Sequence, residues 1–133
     1  MQEELKCPCC GLDGLDGGML SIIEAISMCF PDVVWTSGCR CELHNRAVGG
    51  TIDSGHLAKW GMDGKSCAAG DWTLKVWDDY RARKVIQLAL REGATGVGIY
   101  YDNKKPHGHI DRKPRFQIWR KTRKLKRTEY WLR

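Results

Sequence analysis

The chain has 133 residues, enough for one hydrophobic core and too few for two independent domains. Hydrophobic residues at 42% and six tryptophans exclude general disorder, while 15 glycines and only two phenylalanines imply many loops around a modest core. The net charge of +6 is unevenly placed: of 22 basic and 16 acidic residues, residues 112–133 hold ten Lys/Arg and one Glu, a local +9, which leaves twelve basic and fifteen acidic, or −3, before them.

In chain order, residues 7–18 combine CPCC with GLDGLDGG, a loop in which proline and glycines prevent regular structure. Met19 to Phe30 reads as a helix, because Leu20, Ile23, Ile26 and Phe30 recur at helical spacing and Pro31 stops the run. VVWT at 33–36 is a short buried strand ended by Ser37 and Gly38. From Cys41, CELHNRAVGG reads as a short helix closed by Gly49 and Gly50, and the polar loop TIDSGH follows. Between Trp60 and Cys67 the pattern is ambiguous, with Gly61 to Lys65 a possible start of a strand. Leu74 to Glu92 gives the strongest helical signal: Val76, Tyr80, Ile86, Leu88 and Leu90 interleave with charges, and Gly93 caps the run. VGIYY at 97–101 is a strand, a tight turn runs through Asn103 to Pro106, and HGHID at 107–111 is its antiparallel neighbour. The last twenty residues alternate aromatic and basic side chains, a pattern open to strand, helix or adhesive tail. The expected organisation is a single domain over residues 1–119, beginning with a Cys/Gly-rich loop at 1–18, and a basic tail at 120–133.

Seven cysteines are many for this length, and the odd number leaves one over from any complete set of disulfides. The start, MQEELKCPCC, has no basic region followed by an apolar stretch, and no run approaches the roughly 18 to 20 apolar residues of a membrane span. Synthesis in a reducing cytoplasm with mostly free or metal-bound thiols is expected. CPCC resembles half of a zinc knuckle without a second C-x-x-C. Cys39 and Cys41 are candidates to join Cys7, Cys9 or Cys10 in a structural zinc site or a disulfide. Cys29 and Cys67 are expected to be small buried hydrophobes.

Catalytic zinc takes three protein ligands from His, Asp, Glu or Cys and keeps a fourth position for water. SGHLAKWGMD at 54–63 offers His56 and Asp63 at a spacing natural for a loop that turns into a strand. HGHID offers His107 and His109, which on a strand share a face. Asp71 competes with Asp63 as the carboxylate of such a set. His44 is expected to hold its loop, and Trp60 and Trp72 to pack.

SGHLAKWGMD resembles the S-x-H-x-x-G-x-A-x-D motif of the zinc D-alanyl-D-alanine carboxypeptidases, a superfamily that includes phage L-alanyl-D-glutamate endolysins and the hedgehog signalling domain. Ser54, His56 and Asp63 match, whereas Lys59 and Gly61 replace the motif's Gly and Ala. TSGCRCELHNRAVGG is similar to the TSGYRxxxHNxxVGG stretch of small phage members, with Cys39 where an aromatic is common. GVGIYY and HGHID resemble their closing GIGxY and HxD elements, so the likeness runs over roughly residues 33–112.

The resemblance implies zinc held by His56, Asp63 and His109, and Arg40 placed to bind a substrate carboxylate or steady an oxyanion. Many relatives carry an acidic general base three residues before the last histidine, where this chain has Pro106. Other members use H-x-H, which makes His107 the candidate base or transition-state stabiliser. Asp111 would share its strand face and either orient a histidine or act as the carboxylate base. The implied protein is a monomeric zinc peptidase of α+β fold, with a small antiparallel sheet carrying the zinc site and helices on the other face. Its substrate would be peptidoglycan stem peptide, cut by D,D-carboxypeptidase or endolysin-type action. It would be made in the cytoplasm of a phage- or prophage-bearing host and act on the cell wall after release, with the basic tail binding anionic envelope polymers. Two other readings are a zinc-stabilised nucleic-acid-binding module and an inactive peptidase-fold binding protein.

Overall fold

Helical and strand periodicities here direct apolar side chains into one layer between two helices and one face of a sheet. The computed structural model describes residues 3–101, 105–122 and 127–132, by backbone alone from residue 121 onward. A short 3-10 helix, Glu3–Leu5, is followed by α1 (Gly17–Cys29), β1 (Val33–Ser37), α2 (Glu42–Ala47) and β2 (Ala69–Leu74). Then come α3 (Asp79–Arg91), β3 (Gly96–Tyr101), β4 (His107–Asp111), β5 (Gln117–Thr122) and β6 (Arg127–Leu132).

α1 begins at Gly17, ahead of the expected Met19, because the Asp16 carboxylate accepts from the Met19 amide at 3.1 Å and caps the first turn. Its buried stripe is Met19, Ile22, Ile23 and Ile26. The helix expected from Leu74 starts instead at Asp79, where the Asp78 carboxylate accepts from the Tyr80 amide at 3.0 Å. α3 buries Ala82, Val85, Ile86 and Ala89, whereas Val76 and Tyr80, read as part of its apolar face, are exposed. Gly93, at φ +110°, ends the helix in a conformation that disfavours other residues.

The sheet has six strands in the order β1-β2-β4-β3-β5-β6. All pairs are antiparallel except β3 with β5, so the fold is α+β as expected but the sheet is mixed. Three features differ from the sequence reading. Residues 69–74 form a strand, Gly61 to Lys65 form turns and not a strand, and β1 buries only Trp35. The boundary expected after residue 119 falls inside β5, and β6 also lies in the stretch expected as a tail. Residues 123–126 and 133 of that stretch, and Asn103 and Lys104 of the expected turn, lie outside the described residues.

Strand alternation then separates two faces. Trp72 and Leu74 of β2, Val97 and Ile99 of β3, and Ile110 of β4 join the buried stripes of α1 and α3 in one core, with Leu5 from the N-terminal turn. Asp71, Tyr100, His107, His109 and Asp111 occupy alternate positions and line a cleft on the opposite face. Gly108 lies opposite Trp72 in the β2–β4 register, and a Cβ there would stand 2.2 Å from Trp72 Cε2. The indole therefore occupies the volume that any larger residue would need.

Gly108→Ala should destabilise the protein by about 1–3 kcal/mol, the usual cost of overpacking a filled core. Gly14→Ala, with no atom within 4 Å of its added Cβ, should change stability by less than about 0.5 kcal/mol in the same denaturant titration.

Candidate metal centre

Three segments converge on the carboxylate of Asp71. β2 presents it on the sheet face away from the helices, directly opposite His109 of β4 in the strand register. His56 arrives from the loop after α2, and the bridge between Arg40 and Leu57 fixes that loop beside the chain leaving β1. His56 Nε2 stands 3.1 Å from Asp71 Oδ1, and His109 Nδ1 stands 2.9 Å from the same oxygen. The two imidazole rings meet edge to face with centroids 5.2 Å apart.

The remaining ring nitrogens are each committed. His56 Nδ1 lies 2.5 Å from the Gly38 carbonyl, which can only accept, so Nδ1 carries a proton and Nε2 is the nitrogen turned toward the cluster. His109 Nε2 lies 2.7 Å from Asp111 Oδ2. The carboxylate of Asp111 is fully buried, gripped by Arg115 Nη1 and Nη2 at 2.6 and 2.9 Å, and its Oδ1 also accepts from the Lys113 amide at 3.1 Å. An imidazole whose outer nitrogen is held by a carbonyl or carboxylate is an oriented metal ligand.

Charge is compensated throughout. Burial raises the Asp71 carboxyl, yet His56 and His109 outweigh it and hold the group well below the usual carboxylate range. Asp111 is likewise held below that range, because Arg115 and His109 overcome its burial. Burial opposes the cationic form of His109, but hydrogen bonds to Asp111 and Asp71 prevail and push it up to about 9. Arg40 Nη2 binds the second oxygen of Asp71 at 3.0 Å, and its other nitrogens reach Ser37 Oγ and Asn45 Oδ1, each at 3.3 Å.

His56, Asp71 and His109 thus bring two imidazole nitrogens and one carboxylate oxygen within 4.8 Å of one another. That donor set suits zinc, which takes nitrogen and oxygen ligands at about 2.0–2.2 Å. Asp63, expected as the third ligand, is not part of the cluster. It lies in an exposed turn, where its Oδ1 accepts from the amides of Lys65 and Ser66 at 2.9 Å and from Ser66 Oγ at 2.7 Å. The signal for Asp71 was present: Ala69-Gly70-Asp71 reproduces the A-x-D ending of the motif, which Gly61-Met62-Asp63 does not.

Arg40, His107 and Asp111, singled out in the sequence, line the same cleft of 440 Å³ as the three donors. His107 stacks on Tyr100 with ring centroids 5.1 Å apart. Asp111 faces His109 and Arg115, an arrangement that orients the histidine. Sequence reasoning did not anticipate Trp119, Lys113 and Arg115, which also line the cleft. Trp119 of β5 lies 5.6 Å from His109 between centroids, and a Cβ on Gly98 would stand 2.2 Å from its ring. Elsewhere, Cys39 is joined to Cys67 in a disulfide and so is separate from Cys7, Cys9, Cys10 and Cys41, which gather together. Cys29, expected to be buried, is exposed.

Residues 3–111 match the family model described as Peptidase M15. No curated protein and no solved structure matches the chain significantly.

Substitution grades the three carboxylates. Asp71→Ala should weaken zinc binding by more than the roughly 10- to 100-fold that loss of an outer partner costs, Asp111→Asn should fall within that range, and Asp63→Ala should leave affinity unchanged. Competition against a chromophoric chelator measures all three.

Proposed function

The chain belongs to the Peptidase M15 family, and from that premise and the geometry of its cleft we propose that it is a zinc-dependent hydrolase of peptidoglycan stem peptides. The observation that carries the reading is the convergence of His56, Asp71 and His109 at the base of an open cleft, with the outer nitrogen of each histidine already held. These three residues would hold the metal. Zinc bound there would supply Lewis-acid polarisation of the scissile carbonyl and an acidified water.

The chain's own groups divide the remaining work. Asp111 keeps His109 in the ring orientation that directs Nδ1 at Asp71, and Arg115 keeps Asp111 ionised. His107, two residues from His109 on the same strand face, takes and returns the proton. Asp111 is a poor base by comparison, since both its oxygens are engaged by charged partners. Arg40 and Lys113 on the cleft wall favour a peptide with free carboxylates, which stem peptides carry. Arg40 stays anchored to Asp71, Asn45 and Ser37, so it meets such a group with little loss of side-chain entropy.

The protein acts as a monomer on the cell wall after release from the cell that makes it, in the manner of a phage lysin. Its C-terminal basic residues attract anionic envelope polymers, an attraction that should weaken with salt. Among the described residues no helix is long and apolar enough to cross a membrane.

Zinc-loaded protein should release peptides or terminal D-alanine from purified peptidoglycan, and His56→Ala should lose the cleft zinc and turnover together. His107→Ala should keep the zinc yet lose about two to four orders of magnitude in rate, the usual worth of a positioned acid or base. A wild-type protein that binds zinc at His56, Asp71 and His109 but turns over neither intact peptidoglycan nor isolated stem peptides would instead be a peptidase fold used for binding.

A further inference from the structure

A second group of metal-ligating side chains lies outside the cleft. The N-terminal loop carries Cys7, Cys9 and Cys10 within four residues, and Cys41, 31 to 34 positions later, caps the start of α2 beside them. The sulfur of Cys7 is 3.8 Å from that of Cys9 and 3.7 Å from that of Cys41, and Cys9 and Cys41 are 3.2 Å apart. With Cys10 the four sulfur atoms all lie within 4.8 Å of one another.

These separations discriminate between the states open to clustered thiols. A disulfide needs about 2.05 Å between sulfurs, and Cys7, Cys9 and Cys41 are all farther apart than that. Tetrahedral zinc with Zn–S bonds of about 2.3 Å sets neighbouring sulfurs about 3.8 Å apart, which the Cys7 pairs match. Four soft sulfur donors with no imidazole or carboxylate among them select zinc or an iron–sulfur centre over magnesium or calcium.

The backbone around the sulfurs is arranged as a thiolate cradle. The amide of Cys41 donates to Cys7 Sγ at 3.5 Å, and the amides of Cys9 and Cys10 turn onto the same sulfur. The His44 amide donates to Cys41 Sγ at 3.4 Å. Gly11, at φ +74°, reverses the chain directly after Cys10, and its amide closes the turn on the Cys7 carbonyl at 2.8 Å. Amides aimed at sulfur stabilise the ionised form that binds metal, and they do so in a loop too short and polar to bury a core of its own.

We propose that Cys7, Cys9, Cys10 and Cys41 form a structural zinc site that ties the N-terminal loop to the start of α2. Binding converts each bound thiol to a thiolate with release of its proton, and no redox change is involved. The position gives the site a purpose. Cys41 directly follows Arg40, and the amide of Cys39 is hydrogen-bonded to the Leu5 carbonyl at 2.8 Å, so a metal here steadies the segment that delivers Arg40 to the cleft. The inference does not depend on the cleft being catalytic or on its holding zinc.

Native protein purified without chelator should contain a zinc ion that survives in the His56→Ala variant. Cobalt substitution of that variant should give an intense near-ultraviolet thiolate-to-cobalt charge-transfer band, and Cys9→Ser/Cys41→Ser should abolish it. If the double variant does not fold, X-ray absorption on zinc in the His56→Ala protein answers the same question, with an all-sulfur shell near 2.3 Å expected. Absence of zinc and of the charge-transfer band in folded His56→Ala protein would overturn the proposal. So would a Cys9–Cys41 disulfide found in non-reduced peptides of the native protein.

Discussion

The carboxylate of Asp71 sets the geometry of this molecule's functional face. It is held on the sheet, largely removed from water, and its charge is tolerated only because His56, His109 and Arg40 reach it from three separate segments. Each of those segments is positioned by that requirement: the chain after β1 for Arg40, the loop after α2 for His56, and β4 for His109. Replacing a buried ionic cluster by apolar residues is often neutral or even stabilising by about 1–4 kcal/mol. Stability therefore gives little reason to retain such a group, and the two imidazole nitrogens directed at one carboxylate oxygen give a chemical one.

The sheet can hold this polar constellation because its two faces are built by different rules. On the helix side, large side chains from β2, β3 and β4 close a dry core, and Gly108 makes room for the indole of Trp72. On the cleft side the glycines lie on β3, where Gly96 faces Asp111 and Gly98 faces His109 across the strand pair. A side chain at Gly96 would collide with Arg115 or Asp111, and one at Gly98 with Trp119. The emptiness of β3 on that side is what lets groups from β4 and from beyond it lie across the sheet.

Much of this was legible in the residues. The two histidines, Arg40, His107 and Asp111 sit in short patterns whose local structure is decided by neighbours, and β3 with β4 was visible as alternation around a turn. Asp71 was ranked below Asp63 because its interval from His56 is fifteen residues where the motif has seven, the difference being taken up by the turns between Leu57 and Cys67. β2 was obscured for a related reason: Ala69 and Gly70 have low strand propensity, and its alternation covers only six residues. The close approach of Gly55 to this strand is something only the folded chain displays, since a Cβ on Gly55 would be 3.2 Å from that of Ala69. The parallel pairing of β5 with β3 was beyond reach in another way. Alternating aromatic and basic residues left strand, helix and tail open, and nothing local says which neighbour a strand there will choose.

The connection from β4 to β5 carries a consequence of its own. β4 ends and β5 begins at the same end of β3, so residues 112–116 cross beneath β3, bringing Arg115 to Asp111 and Lys113 to the cleft wall before Trp119 reaches His109. All the proposed metal donors precede this crossing, and the family match stops at Asp111, immediately before it. The proposed donors and one wall of the cleft thus lie in consecutive stretches of one chain. Exchanging residues such as Lys113 and Trp119 would reshape the mouth of the cleft, while the proposed metal donors stayed where they are.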